Sequence, residues 1–187
     1  MANNQFYKKN HRRSIRLKEY DYTQQGLYFI TICIQNNICL LGNISDGKMK
    51  LNRAGEMIEG QWLGLTDHFK HIIIKEFVVM PNHFHAIIEF TQYRSAPCGY
   101  SLMPGIEGQP QGIAPTVGDV VGAFKSLSTN EYIQQVKQNN WVRFSKRLWQ
   151  RNYYEHIIRN EDSHLLISQY IQDNPMKWQE DKYWVPL

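Results

Sequence analysis

The chain has 187 residues, 42% of them hydrophobic and 20% charged, and 21 Lys and Arg against 17 Asp and Glu give a formal net charge of +4. That length suits one domain with its own core, and the composition excludes a disordered or fibrous chain. No apolar stretch approaches the roughly 20 residues of a membrane helix, and no apolar segment of a secretory signal follows the basic N-terminus. Three cysteines without CxxC spacing predict reduced thiols in a cytoplasmic protein.

Positive charge is concentrated at the N-terminus, where the first 18 residues carry six Lys and Arg and no acid. We delimit a basic N-terminal arm over residues 1–26, whose cations include Arg12, Arg13, Arg16 and Lys18. A second basic stretch, between residues 143 and 159, includes Arg147 and Arg151. Such clusters bind phosphate backbones, but they also occur as solvated termini, so charge alone leaves both interpretations open.

The first half of the chain alternates strand and helix patterns. The predicted elements are strands over 27–35 and 48–51, a helix over 53–65, and strands over 71–80 and 83–90. Pro81-Asn82 separates the last two strands and is typical of a turn, so we expect these strands to pair as an antiparallel hairpin.

The second half begins with a change of composition. Residues 91–118 hold five of the 12 glycines and four of the seven prolines, which predicts a flexible loop. A helix over 116–137 and a strand within 148–158 follow. Asn160 is typical of a helix N-cap, and Pro175 should end that last helix.

The order of these elements mixes strands and helices around an obligatory antiparallel hairpin. It predicts an α+β fold, close to a ferredoxin-like antiparallel sheet packed with helices. We detect no internal repeat and no second segment of core size, so residues 27–187 should form one domain.

A histidine pair lies on the strand that follows Pro81-Asn82. Side chains alternate along a strand, so His83 and His85 point to one face and Phe84 to the other. Two imidazoles one strand repeat apart can both reach one divalent metal. Two surface histidines on a half-exposed strand would give the same pattern, so spacing alone leaves both interpretations open.

The last predicted helix carries two polar residues that could complete such a site. Tyr170 and Asn174 are four residues apart and therefore neighbours on one helix face. Leu166, Ile167 and Ile171 should seat that face against the sheet. Alternatively, Asn174 only caps the helix and Tyr170 is a core aromatic.

Several segments together resemble one known family. VVMPNHFHAIIEF, then FKS (Phe124–Ser126), then LWQRNYYEHIIRNED and QYIQDNP are similar to the REP-associated tyrosine transposases, which are single-tyrosine, HUH-type enzymes of insertion-sequence origin. The resemblance covers nearly the whole chain and implies the HUH-type nuclease fold. The loop at 91–118 departs from the shorter members of the family.

The resemblance also implies roles for individual residues. By it, His83 and His85 are the metal-binding histidines, Asn174 is the third ligand, and Tyr170 is the nucleophile. The expected cofactor is Mg²⁺ or Mn²⁺, held loosely because two histidines and an amide are a mostly neutral ligand set. Asp173 or Glu76 could help to activate the tyrosine, and nothing in the sequence selects between them.

The activity implied by the resemblance is cleavage and rejoining of single-stranded DNA at hairpin, palindromic sequences through a 5′-phosphotyrosine intermediate. Arg147 and Arg151 should contact phosphates, while Trp149, Tyr153 and Tyr154 either stack on bases or pack in the sheet. Two alternatives are a domesticated hairpin-binding protein that no longer cuts and a metal phosphodiesterase that uses water. The sequence fixes neither the DNA sequence recognised nor a monomeric or homodimeric state.

Overall fold

The computed structural model describes residues 25–91 and 115–185. Most of the predicted basic arm and most of the predicted loop therefore lie outside the described residues. Within them the strands are β1 (Gly26–Cys33), β2 (Gly42–Ser45), β3 (Lys48–Leu51), β4 (Ile72–Val79), β5 (His83–Phe90) and β6 (Tyr154–Ile158). The helices are α1 (Arg53–Leu63), α2 (Leu65–His68), α3 (Val117–Asn139) and α4 (Glu161–Asp173).

Four strands form one antiparallel sheet in the order β4-β5-β1-β6, and β2 and β3 form a separate hairpin. Alternate side chains of β1 and β5 pack with α1 and α3 into the main core, which contains Phe84 between Trp62 and Phe124. The opposite face packs on α4 through a smaller cluster of Phe29, Ile87, Ile158 and Ile171. The predicted α+β fold and the predicted β4–β5 hairpin are confirmed.

The structure differs from the prediction at one additional strand and one helix end. Strand β2 was not predicted; it is a four-residue strand with no fully buried side chain, so its sequence carries little hydrophobic pattern. The helix predicted over 53–65 ends at Leu63, and the short α2 follows Gly64. Helix α3 agrees with the helix predicted over 116–137: it begins at Val117, where Thr116 and Asp119 form a capping box, and ends at Asn139.

Helix α1 begins where a close backbone approach requires glycine. The Asn52 side chain caps the helix by accepting from the backbone N–H of Ala54 and Gly55 and donating to Leu40 O. A Cβ on Gly55 would overlap the carbonyl oxygen of Leu41, whereas a Cβ on Gly60 in the same helix would meet nothing within 4 Å.

We expect Gly55→Ala to lower the free energy of unfolding by about 1–3 kcal/mol, although alanine is the better helix former, because the backbone must shift to admit the methyl group. Gly60→Ala should instead raise it by about 0.5–1 kcal/mol, since only the conformational-entropy cost of glycine is removed. Chemical denaturation of both variants measures the difference, and equal effects at the two positions would contradict the close approach at Leu41.

Candidate metal and tyrosine site

The two histidines predicted as a pair converge beneath the surface of the sheet. His83 and His85 lie on one face of β5 and are both buried, and their Nε2 atoms are 3.0 Å apart. The alternative of two surface histidines is therefore wrong. Their strand neighbours on β1 are Cys33 and Thr31, and Thr31 Oγ1 lies 2.8 Å from His85 Nδ1.

Asn82 orients His83. Both amide protons of Asn82 are donated to backbone carbonyls, at 3.0 Å to Asn37 O and 2.8 Å to Tyr183 O. These two bonds identify the atom that faces His83 as the carbonyl oxygen Oδ1. It accepts from His83 Nδ1–H at 2.9 Å. A neutral His83 consequently presents the lone pair of Nε2 toward His85, which is the arrangement that a metal-binding histidine needs.

Burial keeps both rings neutral. Removal from water lowers the pKa of His83 and of His85, and the proximity of the two rings lowers the pKa of His85 further. Neutral imidazole is the form that coordinates metals, so the site is not protonated at neutral pH.

Helix α4 brings Tyr170 to the histidines. Its hydroxyl lies 3.2 Å from His85 Nε2, and its ring contacts Phe29 edge-on at a centroid distance of 6.1 Å. The side chain is 41% exposed, so it is not the core aromatic of the alternative interpretation. Ile167 and Ile171 seat the helix as expected, but Leu166 does not; it is 72% exposed because it points away from the sheet.

Asn174 lies one turn beyond Tyr170 and is buried. Its Nδ2 donates to Asp181 Oδ2 at 3.1 Å, while its buried Oδ1 has no hydrogen-bond partner among the described residues. A buried carbonyl oxygen without a donor is costly unless a cation or water satisfies it. The side chain of Asn174 is therefore part of the buried site, and its role is not limited to capping the helix before Pro175.

Asp181 is a member of the site that the sequence did not indicate. Its Oδ1 accepts from Tyr183 N–H at 2.6 Å, and its Oδ2 accepts from Tyr170 OH at 3.4 Å in addition to Asn174. It lies in a run of charged residues, Glu180-Asp181-Lys182, which is typical of solvated surface. No spacing motif distinguishes it, so only the fold reveals it.

The two carboxylates considered as helpers of the tyrosine contact other groups. Asp173 bonds Lys177 and Gln169 at the exposed side of α4. Glu76, on β4, lies 3.7 Å from His164. In the described residues, Asp181 is the carboxylate that reaches the Tyr170 hydroxyl.

The donor set fits a divalent cation. Ligand atoms of His83, His85 and Asp181 all lie within 4.8 Å of one another. Two imidazole nitrogens, a carboxylate and the unpartnered oxygen of Asn174 combine nitrogen and hard oxygen donors, which suit a divalent metal of the Mg²⁺, Mn²⁺ or Zn²⁺ type. Without a cation, the phenol of Tyr170 stays protonated, because burial and the charge of Asp181 raise its pKa to about 12.

Two aromatic rings close the site from the C-terminal side. Tyr183 lies over His83 at a centroid distance of 4.7 Å, and Trp178 lies at 5.9 Å from the same ring. The backbone carbonyl of Tyr183 accepts a hydrogen bond from the Asn82 side chain, which ties this segment to the turn before β5. Residues 178–183 therefore complete the pocket around the histidines.

The residues predicted to bind DNA are only partly described. Arg147 and Arg151 are exposed, whereas Arg12, Arg13, Arg16 and Lys18 lie outside the described residues. Among the aromatic candidates, Tyr154 is 42% exposed. Trp149 is buried and donates from Nε1 to Ser128 Oγ at 2.9 Å, so it is a core residue and not a stacking surface.

Lys125, in the FKS segment, stabilises the backbone before β6. Its Nζ donates to the backbone carbonyls of Gln150, Arg151 and Asn152. Burial lowers the pKa of Lys125 to about 8. The side chain thus holds the turn that presents Arg151.

Comparison with known proteins places the chain in a family and a fold. No family model matches the sequence. The chain is 42% identical over 180 residues to an uncharacterised protein of Haemophilus influenzae, covering 94% of each, so the two belong to one family. Its fold is similar to that of a REP-associated tyrosine transposase solved bound to a REP hairpin (TM-score 0.56, 21% identity, 89% of this chain and 77% of that one). In the residues described, no helix is long and apolar enough to span a membrane.

Proposed function

We propose that this chain, a relative of the Haemophilus influenzae protein with the fold of a REP-associated tyrosine transposase, is a cytoplasmic, metal-dependent transposase that cleaves and rejoins single-stranded DNA at hairpins. The observation that carries the proposal is the approach of the Tyr170 hydroxyl to His85, 3.2 Å away, at the edge of a buried cluster of metal-ligating side chains. A nucleophile beside a cation site is the arrangement that phosphoryl transfer requires.

We assign the cation as Mg²⁺ or Mn²⁺, held by His83, His85 and Asn174, with Asp181 as an additional carboxylate ligand. When bound, it would neutralise charge on the non-bridging oxygens of the scissile phosphate. A carboxylate makes the ligand set harder and more negative than two histidines and an amide, so we expect firmer binding than the sequence suggested.

Tyr170 would act as the nucleophile. Its O–H proton passes to the Oδ2 of Asp181, which already accepts from it at 3.4 Å. The phenolate oxygen forms a bond to phosphorus, the bond from phosphorus to the 3′ oxygen breaks, and that oxygen takes up a proton from solvent water to become a free 3′-OH. The 5′-phosphotyrosine link preserves the energy of the phosphodiester, so a 3′-OH can attack it later and rejoin the strand without ATP.

The exposure of Tyr170 suits a macromolecular substrate, because a phosphate within a DNA strand can reach a side chain that is 41% exposed. Arg147 and Arg151, both exposed, are the described cations that we assign to the DNA backbone, together with the basic arm. The substrate class is single-stranded DNA beside a hairpin stem, and the acting species is a monomer or a homodimer.

Removal of residues 1–18 should weaken DNA affinity and flatten its dependence on salt, since six cations are lost. For each duplex phosphate contact that disappears, the slope of log K against log salt should fall by about 0.9. Binding assays at several salt concentrations measure the slope. Unchanged Mn²⁺ affinity is the control, and an unchanged slope would remove the arm from the DNA interface.

A strand-labelling experiment tests the reaction. The protein is incubated with Mn²⁺ and hairpin DNA carrying single-stranded flanks, labelled at either the 5′ or the 3′ end. We expect an SDS-resistant adduct that retains the 3′ label, because Tyr170 would hold the 5′ phosphate of the downstream fragment. Cleavage without an adduct would favour the water-using phosphodiesterase, and binding without cleavage would favour the domesticated protein.

A further inference from the structure

A groove of about 520 Å³ lies beside the metal and tyrosine site. One wall is the β2–β3 hairpin, and the other is the segment 175–185 that follows α4. The two walls approach each other at Gly47, at the hairpin tip, where an added Cβ would lie 3.5 Å from the Cγ of Met176. The volume of the groove is in the range of small-molecule binding sites.

The groove adjoins the candidate site at Trp178. Pro81 and Pro175, the neighbours of Asn82 and Asn174, both line it. Trp178 also lines it, and the same indole lies 5.9 Å from the His83 ring. Because the groove and the histidine site share Trp178, a nucleotide adjacent to the one at Tyr170 would lie near the groove.

The lining favours a nucleobase over a phosphate. Trp178 and the 42%-exposed Trp184 offer flat aromatic faces on which bases stack. The charged side chains around them are Asp46, Glu180 and Lys177, so acids outnumber cations and would repel a phosphate. Carboxylates instead accept hydrogen bonds from exocyclic amino groups, such as cytosine N4.

We propose that this groove binds an unpaired nucleobase of the DNA strand, next to the nucleotide that Tyr170 attacks. The proposal rests on the proposed function and adds a base-binding subsite to it. Trp184 supplies the stacking face at the outer end, and Trp178 links that subsite to the metal-binding His83.

The test compares wild type with Trp184→Ala on two probes, a labelled single-stranded oligo-dC and a strand of equal length made of abasic sites. We expect the dissociation constant for oligo-dC to rise roughly 5- to 150-fold, the effect of losing one base–aromatic stack. Affinity for the abasic strand should stay the same. Ile133→Ala, on α3 away from the groove, is the matched control for loss of an exposed apolar side chain.

Trp184→Phe keeps a stacking ring and should retain most of the affinity, and it carries the test if the alanine variant fails to fold. Equal losses on oligo-dC and on the abasic strand would mean that the groove contacts the backbone, which overturns the assignment. If wild type forms the Tyr170 adduct while Trp184→Ala binds oligo-dC like wild type, the groove proposal is wrong and the proposed function stands. If wild type binds oligo-dC no better than the abasic strand, the groove proposal is wrong, and the adduct assay on hairpin DNA decides the proposed function separately.

Discussion

Tyr170→Phe should abolish the covalent DNA adduct while leaving DNA affinity and Mn²⁺ affinity close to those of wild type. The substitution removes one oxygen, and the ring keeps its edge-on contact with Phe29, 6.1 Å between centroids. The hydroxyl is partly exposed and its bonds to His85 and Asp181 are long, so stability should change by no more than about 1 kcal/mol. Denaturing gels with labelled DNA and thermal unfolding measure the two effects.

Tyr154→Phe is the matched control. Tyr154 is 42% exposed, and its ring also meets Phe29 edge-on, at 6.2 Å, so the two tyrosines differ mainly in what their hydroxyls face. This variant should form the adduct at the wild-type level. An adduct in Tyr170→Phe, or its loss in Tyr154→Phe, would contradict the assignment of the nucleophile.

Asp181→Asn should weaken Mn²⁺ binding by at least about tenfold, because the negative oxygen beside His83 and His85 is replaced by a neutral amide of the same shape. Substitutions of groups that only orient ligands already cost 10- to 100-fold in metal affinity. Loss of a direct nitrogen ligand in His85→Ala should therefore cost more than that. Calorimetric titration with Mn²⁺ measures both.

Asp173→Asn is the matched control, because it removes a negative charge near the site without removing a proposed metal ligand. Asp173 is a carboxylate at the end of α4, the helix that carries Tyr170, but it bonds Lys177 and Gln169 and not the histidines. Its substitution should leave Mn²⁺ affinity unchanged. A similar loss in both aspartate variants would indicate a general electrostatic effect and would remove Asp181 from the ligand set.

The parts of the site that could be predicted are those encoded by periodicity. The alternation of β5 placed His83 and His85 on one face and Phe84 in the core, and the helical spacing of Tyr170 and Asn174 put both on one face of α4. These predictions hold because each pair is close in sequence and its geometry is fixed by local backbone structure: β5 holds both histidines, and Asn174 keeps helical backbone angles as the C-cap of α4.

The parts that could not be predicted depend on packing between distant segments. Asp181 enters the site through an irregular segment after α4 that no periodicity describes, and the charged run around it indicated surface. Trp149 is an aromatic residue in a basic stretch, so the sequence allowed it to stack on bases. In the structure it is buried, and its hydrogen bond to Ser128 on α3 holds it in the core. Leu166 is apolar like Ile167 and Ile171, but it faces away from the sheet because those two isoleucines lie on the packed side of α4.

The bonds of Asn82 tie together chain segments that are far apart in sequence. Its amide holds the turn at Asn37 and the carbonyl of Tyr183, and its oxygen holds His83. An ion bound between β5 and residues 174–181 would therefore act as a cross-link of the whole domain and not of one loop. At 100 times its dissociation constant, such an ion adds about 2.7 kcal/mol to the free energy of unfolding. Loss of the ion would thus be detectable as a lower melting temperature of the entire domain, even with no DNA present.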